Sequence, residues 1–229
     1  MRSLPISTSR RDNRGFTLVE LLVALMVMAL LSLMSWRGLD AMGKAQAQTQ
    51  ARADELQTLR NGLAQWGADL DAMATDLTNP RAINTLPSPL EWNGLVFRIT
   101  RYSSTAGAPG LRVVAWTSRA ENGRKVWLRW QSPVVQSRNA LQDAWTQAAL
   151  WAQSPDDTTR KQQVQIVPMV DWQIFYYRGD AWTNPGSSSE ASAVNPDGVR
   201  LQLTLPQDSA LSGKISRDWM RSTASGTKS

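Results

Sequence analysis

The sequence predicts an α+β protein in which one long N-terminal helix packs on an antiparallel β-sheet head. Three patterns support this fold class. A long apolar run lies near the N-terminus, a polar segment rich in helix-forming residues follows it, and from residue 90 onward apolar and polar residues alternate. The first two patterns are typical of a helix that is hydrophobic and then amphipathic, and the third is typical of β-strands.

The composition excludes several classes of chemistry. The chain has 229 residues, of which 42% are hydrophobic, and it contains neither Cys nor His. These absences exclude disulfide bonds, thiolate nucleophiles, Ser–His triads and the usual zinc sites. Because no nucleophile, base or cofactor motif is present, we expect no enzyme activity and no catalytic residue, cofactor or metal.

The positive charge is concentrated at the N-terminus. The net charge is +6, and the first 15 residues contribute +3 of it. The remaining 214 residues carry 21 basic and 18 acidic side chains with the two signs mixed. A nucleic-acid interface needs a clustered basic face, so we expect no nucleic-acid partner.

The apolar run predicts a membrane helix. Residues 16–36 contain a single charged side chain, Glu20. As a helix these 21 residues would be about 31 Å long, which matches a hydrocarbon core of about 30 Å. Arginines before the run place the N-terminus in the cytoplasm, and no Ala-x-Ala cleavage pattern follows the run. We therefore expect a single-pass anchor with its C-terminal domain outside the cytoplasm.

Glu20 is the unusual residue of this segment. A carboxylate in a membrane helix costs about 2.5–3.5 kcal/mol at the helix centre and less near an end, so it indicates a functional role and needs a cationic partner. No Lys or Arg lies nearby on the apolar stretch. The nearest cation would be the amine created by cutting the chain just before Phe16.

Residues 14–20, RGFTLVE, resemble the processing motif of type IV prepilins and type II secretion pseudopilins. The resemblance implies that a prepilin peptidase cleaves between Gly15 and Phe16 and N-methylates Phe16. It also implies that Glu20 forms an assembly salt bridge with the Phe16 amine of a neighbouring subunit. The fold would then be pilin-like.

The segment after the membrane helix predicts an amphipathic continuation. Apolar residues recur at steps of three and four, with Asp54, Arg60, Asp69 and Asp71 off the stripe. The stripe consists of Leu56, Leu59, Leu63, Trp66, Leu70, Met73 and Leu77. We expect one helix from about residue 16 to 78, ending near Asn79 because a proline follows. A coiled coil is the alternative, but packing on a sheet is favoured because the stripe is short and lacks regular flanking charges.

The remainder predicts strands, one short helix and two irregular segments. A hairpin turn is expected at residues 121–123 and a helix at residues 140–151. Strands are expected at residues 95–100, 111–116, 125–130, 163–169, 171–177, 199–205 and 214–220. Residues 183–195 form a Pro/Gly/Ser-rich loop, and residues 222–229 are expected to be disordered.

Few residues of the head indicate chemistry. Acidic residues could hold a hard cation, but without the spacing of a calcium loop we interpret them as solvated carboxylates. They are Asp69, Asp71, Asp156, Asp157, Glu190 and Asp197. Tryptophans near arginines could stack on single-stranded nucleic acid, but core packing is favoured. These residues are Trp127, Trp130, Trp145 and Trp151, with Arg129 and Arg138.

Several segments resemble the J-type minor pseudopilins of the type II secretion system (general secretion pathway protein J). The matching segments are residues 35–41, 69–70, 170–177, 182, 195–201 and 215–217. One departure is Asn195-Pro196-Asp197, where the family more often has a Leu-Pro step. The resemblance implies a pseudopilus tip complex that primes pseudopilus assembly for protein export across the outer membrane. Its partners would be I-type, K-type and H-type minor pseudopilins and the major pseudopilin.

Two alternatives remain open: a W-type minor type IV pilin, and a single-pass anchored extracytoplasmic binding domain. The domain organisation expected is a cytoplasmic leader at 1–15 and a transmembrane assembly helix at 16–37. An amphipathic continuation at 38–79, a periplasmic head at 80–221 and a tail at 222–229 follow. The protein would reside in the inner membrane, in contact with its lipid, with the head in the periplasm.

Overall fold

The computed structural model describes residues 16–75, 88–103, 109–185 and 195–222. The chain separates into two compact units, Met1–Ala51 and Arg52–Ser229. The leader at 1–15, most of the loop at 183–195 and nearly all of the tail at 222–229 lie outside the described residues.

The described part of the first unit is a single stretch of helix. Helix α1, Leu18–Asp71, begins here and continues into the second unit. Every residue from 16 to 51 is exposed. The long N-terminal helix of the predicted fold class is therefore confirmed.

The second unit, which we call the head, contains the last part of α1 and a series of strands and short helices. In chain order these are β1 Leu90–Trp92, β2 Val96–Tyr102, β3 Leu111–Glu121, β4 Arg124–Gln131, α2 Arg138–Gln153, α3 Asp157–Lys161, β5 Gln163–Pro168, β6 Asp171–Arg178, β7 Ala181–Thr183, β8 Gly198–Leu205 and β9 Gly213–Met220. The antiparallel strands that the alternating pattern predicted are confirmed. Strands β1 and β7 and helix α3 were not predicted, since elements of three to five residues are too short to show a period.

The strands form two antiparallel sheets, where the sequence suggested one. Sheet A has the order β1-β2-β3-β4-β5, and sheet B has the order β7-β6-β8-β9. The chain crosses between them within two residues, because the N–H of Met169 donates to Lys125 O in sheet A and the N–H of Val170 donates to Thr204 O in sheet B, both at 2.8 Å. Alternation shows which residues face a core but not where a sheet ends.

Helix α1 ends at Asp71, earlier than the proline in the sequence suggested. The next residues hydrogen-bond to strand β2 instead of continuing the helix. The N–H of Ala74 donates to Thr100 O, and Ala72 O accepts from the N–H of Tyr102, both at 2.9 Å. Pairing with the sheet therefore ends the helix, and a helix-breaking residue is not needed.

The predicted hairpin turn between β3 and β4 is confirmed. Asn122 and Gly123 have φ values of 51° and 79°, which is the conformation that a tight two-residue hairpin needs and that Asn-Gly adopts readily.

Two apolar clusters form the core of the head. In the first, α1 residues including Leu59 and Trp66 pack with one face of sheet A and one face of sheet B. In the second, the other face of sheet A packs against α2 through residues such as Trp130, Leu141 and Trp151. The predicted apolar stripe of α1 is confirmed by the burial of Leu59, Trp66 and Leu70; Met73 is also buried but follows the end of the helix, and Leu77 lies outside the described residues.

Candidate functional site

The N-terminal end of α1 carries the residues that the sequence singled out. Gly15 lies outside the described residues, whereas Phe16 is 85% exposed and Glu20 lies in the first helical turn. The N–H of Glu20 donates to Thr17 Oγ1 at 3.2 Å, and this hydroxyl donates a longer 3.5 Å bond to Glu20 Oε2. The first bond is the one that an N-cap threonine makes in a capping box, whereas the Glu20 carboxylate contacts the Thr17 hydroxyl.

The sequence reasoning missed this local role of Glu20. A Thr followed three residues later by Glu, directly before an apolar run, is a known start signal for helices. Position also favours the carboxylate, since a negative charge is stabilised at a helix N-terminus. Glu20 therefore helps to start the helix in the single chain.

No cation on the described part of α1 lies near this carboxylate. The first basic residue after Glu20 is Arg37, 17 positions further on, which corresponds to about 25 Å along a helix. Asp40, by contrast, has its own partner, because Lys44 Nζ lies 2.8 Å from its carboxylate. An ionic partner for Glu20 on this stretch would have to come from another molecule or from the chain's own N-terminus.

The side chains of this stretch form an uncovered apolar surface. Large apolar residues from Phe16 to Met42 are each about half exposed or more. Among the described residues, α1 is the one helix long and apolar enough to cross a membrane, and none of its most apolar window is buried. The helix therefore has the character of a membrane anchor.

In the head, the notable charged group is Asp69, which the sequence placed on the solvated side of α1. That expectation is wrong, because Asp69 is fully buried. Its Oδ2 accepts from Arg129 Nε at 2.8 Å and from Trp116 Nε1 at 3.0 Å. Its Oδ1 accepts from Arg129 Nη2 at 2.9 Å, Arg101 Nη1 at 2.6 Å and Gln65 Nε2 at 2.9 Å.

These contacts, which we call the Asp69 cluster, join α1 to three strands of sheet A. Arg101 is on β2, Trp116 on β3 and Arg129 on β4. A buried carboxylate is tolerated where cations and hydrogen bonds compensate for its lost hydration. The sequence did contain a signal, since Asp69 follows Trp66 by three positions and Gly62 by seven and so shares their buried face.

The other predicted acidic residues that the structure describes are exposed, as expected: Asp71, Asp156, Asp157 and Asp197. Asp71 accepts from Trp219 Nε1 at 2.7 Å. Asp156 caps α3 and accepts from the N–H and hydroxyl of Thr159, and these bonds lower the pKa of its carboxyl group. Glu190 is not among the described residues. Over the ranges that the structure describes, no group of three or more acidic side chains could hold a metal ion.

The tryptophans proposed as core residues are in the core. Trp127, Trp130, Trp145 and Trp151 are at most 6% exposed. Their faces are therefore not accessible to nucleic-acid bases, and Arg129 is engaged with Asp69. The core interpretation is confirmed.

Comparison with known proteins identifies the N-terminal segment. Residues 10–36 match the prokaryotic N-terminal methylation motif. No curated protein matches the chain. The matched segment includes Phe16, Glu20 and most of the exposed apolar stretch. Proteins of the pilin-like group are generally not enzymes. The chain thus carries the methylation motif of type IV prepilin-like proteins, which supports its place in the pilin and pseudopilin superfamily.

Proposed function

We propose that the protein is a J-type minor pseudopilin of the type II secretion system. In this role it is part of the pseudopilus tip complex that primes pseudopilus assembly for export across the outer membrane. One observation carries the pilin-like assembly role in this proposal: a carboxylate, Glu20, lies within the methylation motif at the start of a helix whose large apolar side chains are each about half exposed or more. Lipid must cover these apolar side chains before assembly, and the helices of neighbouring subunits must cover them afterwards.

The proposed processing follows from the position of the motif. A prepilin peptidase cuts between Gly15 and Phe16 and methylates the new amine, which leaves the apolar stretch as a membrane anchor with the head in the periplasm. Because no basic residue lies near Glu20 on α1, the methylated amine of an adjacent subunit is its ionic partner. In the single chain the Thr17 hydroxyl lies 3.5 Å from this carboxylate.

Intact-mass analysis of the protein purified from membranes tests the processing. We expect a chain that begins at Phe16 and carries one added methyl group. A mature chain that still begins at Met1, or that is cut after the apolar run, would contradict the proposal. Substitution of Gly15 by a bulky residue should leave the leader attached, because the cleaved bond follows this glycine.

Variants of Glu20 test the assembly role. Glu20→Gln keeps the size and removes the charge, and Glu20→Leu also inserts more readily into the membrane. Both should be cleaved and folded normally but should reduce incorporation into the pseudopilus and secretion. Asp40→Asn is the matched control, since this carboxylate lies on the same exposed helix and already pairs with Lys44. Wild-type secretion by both Glu20 variants would show that the carboxylate has no assembly role.

The methylation motif alone fits a W-type minor type IV pilin equally well. The J-type assignment is supported by the resemblance along the head and by a head larger than that of a major pseudopilin. Co-purification of the full chain with I-type and K-type subunits, in parallel with minor type IV pilins, separates the two. Association with pilins alone would favour the pilus. Isolation without either set would favour a single-pass anchored binding domain.

A further inference from the structure

Among the strands that the structure describes, four lie at sheet edges, and three of these are poorly suited to accept another strand. Strands β1 and β7 have three residues each. Strand β5 ends in a proline, and its pairing with β4 is irregular between Val126 and Leu128. Strand β9 is different, because its eight residues pair with β8 in unbroken register. Proteins usually protect long, regular edges from pairing with other chains.

The backbone of β9 alternates between groups bonded to β8 and groups that point away. Thr204 O accepts from Val170 beside β6, so even-numbered residues of β8 face β6 and odd-numbered ones face β9. The N–H of Arg221 donates to Asp197 O at 2.8 Å, so these two odd-numbered residues follow the same alternation. The outward N–H and C=O groups of β9 therefore belong to Lys214, Ser216, Asp218 and Met220.

No strand pairs with this outer edge in the part of the chain that the structure describes. Four N–H and four C=O groups thus face outward along one edge of unbroken register. The four residues that carry them are all exposed. This is the arrangement that accepts an added strand in peptide recognition.

The charges along β9 indicate what kind of strand it accepts. Asp218 is neutralised by Arg200, whose Nε and Nη2 donate to its two carboxylate oxygens at 2.7 Å. Lys214 and Arg217 are exposed, and neither forms an ion pair with a carboxylate among the described residues. The edge therefore presents unpaired backbone groups beside two exposed basic side chains, Lys214 and Arg217, while the nearby carboxylate of Asp71 accepts from Trp219 Nε1.

We propose that β9 docks an extended, acidic segment of another protein as an additional antiparallel strand of sheet B. The added strand bonds to the outward groups of β9, and a carboxylate on it lies opposite Arg217. This surface is carried by the head alone, so the proposal stands independently of the proposed function. Failure of processing at Gly15 would leave it intact.

A nine-residue peptide, acetylated and amidated at its ends, serves as the probe. Antiparallel pairing of its first residue with Arg221 places its fifth residue opposite Arg217, and these two peptide residues are glutamate. Valine as the third and seventh peptide residues lies opposite Trp219 and Ile215, which contact the core, and threonine fills the remaining places. We expect a labelled peptide to bind the full chain in detergent micelles, as measured by fluorescence anisotropy.

N-methylation of the peptide tests the pairing without changing the protein. Residues opposite Arg217 and Trp219 point their backbone groups away from β9, whereas residues opposite Ser216 and Asp218 point them toward it. Methylating the amides of the two peptide threonines opposite Ser216 and Asp218 should abolish binding. Methylating the amides of the peptide glutamate opposite Arg217 and the peptide valine opposite Trp219 should leave it unchanged. Equal effects of the two modifications would overturn the proposal.

Hydrogen exchange locates the bound peptide. The amides of Lys214, Ser216, Asp218 and Met220 should exchange quickly in the chain alone and slowly with the peptide. Slow exchange without the peptide would show that the edge is already covered and would overturn the proposal. Protection that appears only as the protein concentration rises would assign the edge to a second copy of this chain and would overturn the acidic-partner assignment.

Charge reversal tests the specificity. Arg217→Glu should weaken peptide binding by about fivefold or more, because a favourable exposed pair becomes a repulsive one. Lys161→Glu changes the net charge equally at an exposed site on α3 and should have little effect. Equal weakening by both variants would show general electrostatic attraction and would overturn the docking geometry.

Discussion

Replacing Asp69 by asparagine should destabilise the head strongly. The change keeps the shape of the side chain but removes the charge that two arginines share. The side chains of Arg129 and Arg101 are only 9% and 12% exposed, and Asp69 itself has no exposure. The guanidinium groups would then lie beneath the surface without a counter-charge.

The size of the effect follows from this burial. Removing one partner of a buried ion pair costs about 3–5 kcal/mol. With a slope of about 2 kcal/mol per molar urea, the unfolding midpoint of Asp69→Asn should fall by about 1.5–2.5 M. Adding Arg129→Gln removes the more buried of the two orphaned charges and should recover part of the loss.

Tryptophan fluorescence of the full chain in detergent during urea unfolding measures this shift. Trp116 reports on the cluster directly, since its indole donates to Asp69 and its ring lies 4.5 Å from that of Trp127. Asp71→Asn is the control, because this exposed carboxylate accepts one bond from Trp219 and should cost only about 1 kcal/mol. If Asp69→Asn shifts the midpoint no more than Asp71→Asn, the reasoning about the cluster is refuted.

Two further predictions concern the same unfolding midpoint. Gly62→Ala should lower stability by about 1–3 kcal/mol because the added methyl would collide with Ile166. In Gly67→Ala the added methyl contacts no atom, and the free energy of unfolding should rise by about 0.5–1 kcal/mol. Equal changes in stability for the two variants would contradict the packing argument. Hydrogen bonds from Arg200 hold the pKa of Asp218 below its ordinary 3.8. The stability difference between wild type and Asp218→Asn should therefore persist at neutral pH and shrink as pH falls below that value, and a constant difference would exclude this ion pair as its source.

The sequence allowed the helix, most strands and the hairpin turn to be predicted because each leaves a local signal. The apolar run before Arg37 and the Asn122-Gly123 turn both depend on neighbouring residues. The division into two sheets depends on which strands pair, and the crossing at Met169 and Val170 involves residues distant in the chain. No periodicity records such pairings.

The two candidate sites differ in the same way. Phe16 and Glu20 were identified because their motif is contiguous. Asp69 was predicted to be solvated because it is charged, although its position on the helix places it on the buried face. Its partners on β2 and β4 lie 32 and 60 residues away in the chain. A charged residue that shares the spacing of an apolar stripe is therefore worth treating as buried and paired.

The crossing between the sheets has a consequence for recognition. Met169 and Val170 are consecutive, yet each is bonded to a different sheet, and Trp172 directly beyond them is packed in the shared core. No hinge segment separates β5 from β6, so a change in the angle between the sheets would require the core to open. The head is preorganised, and a partner that touches both sheets loses little binding free energy to rearrangement of this subunit.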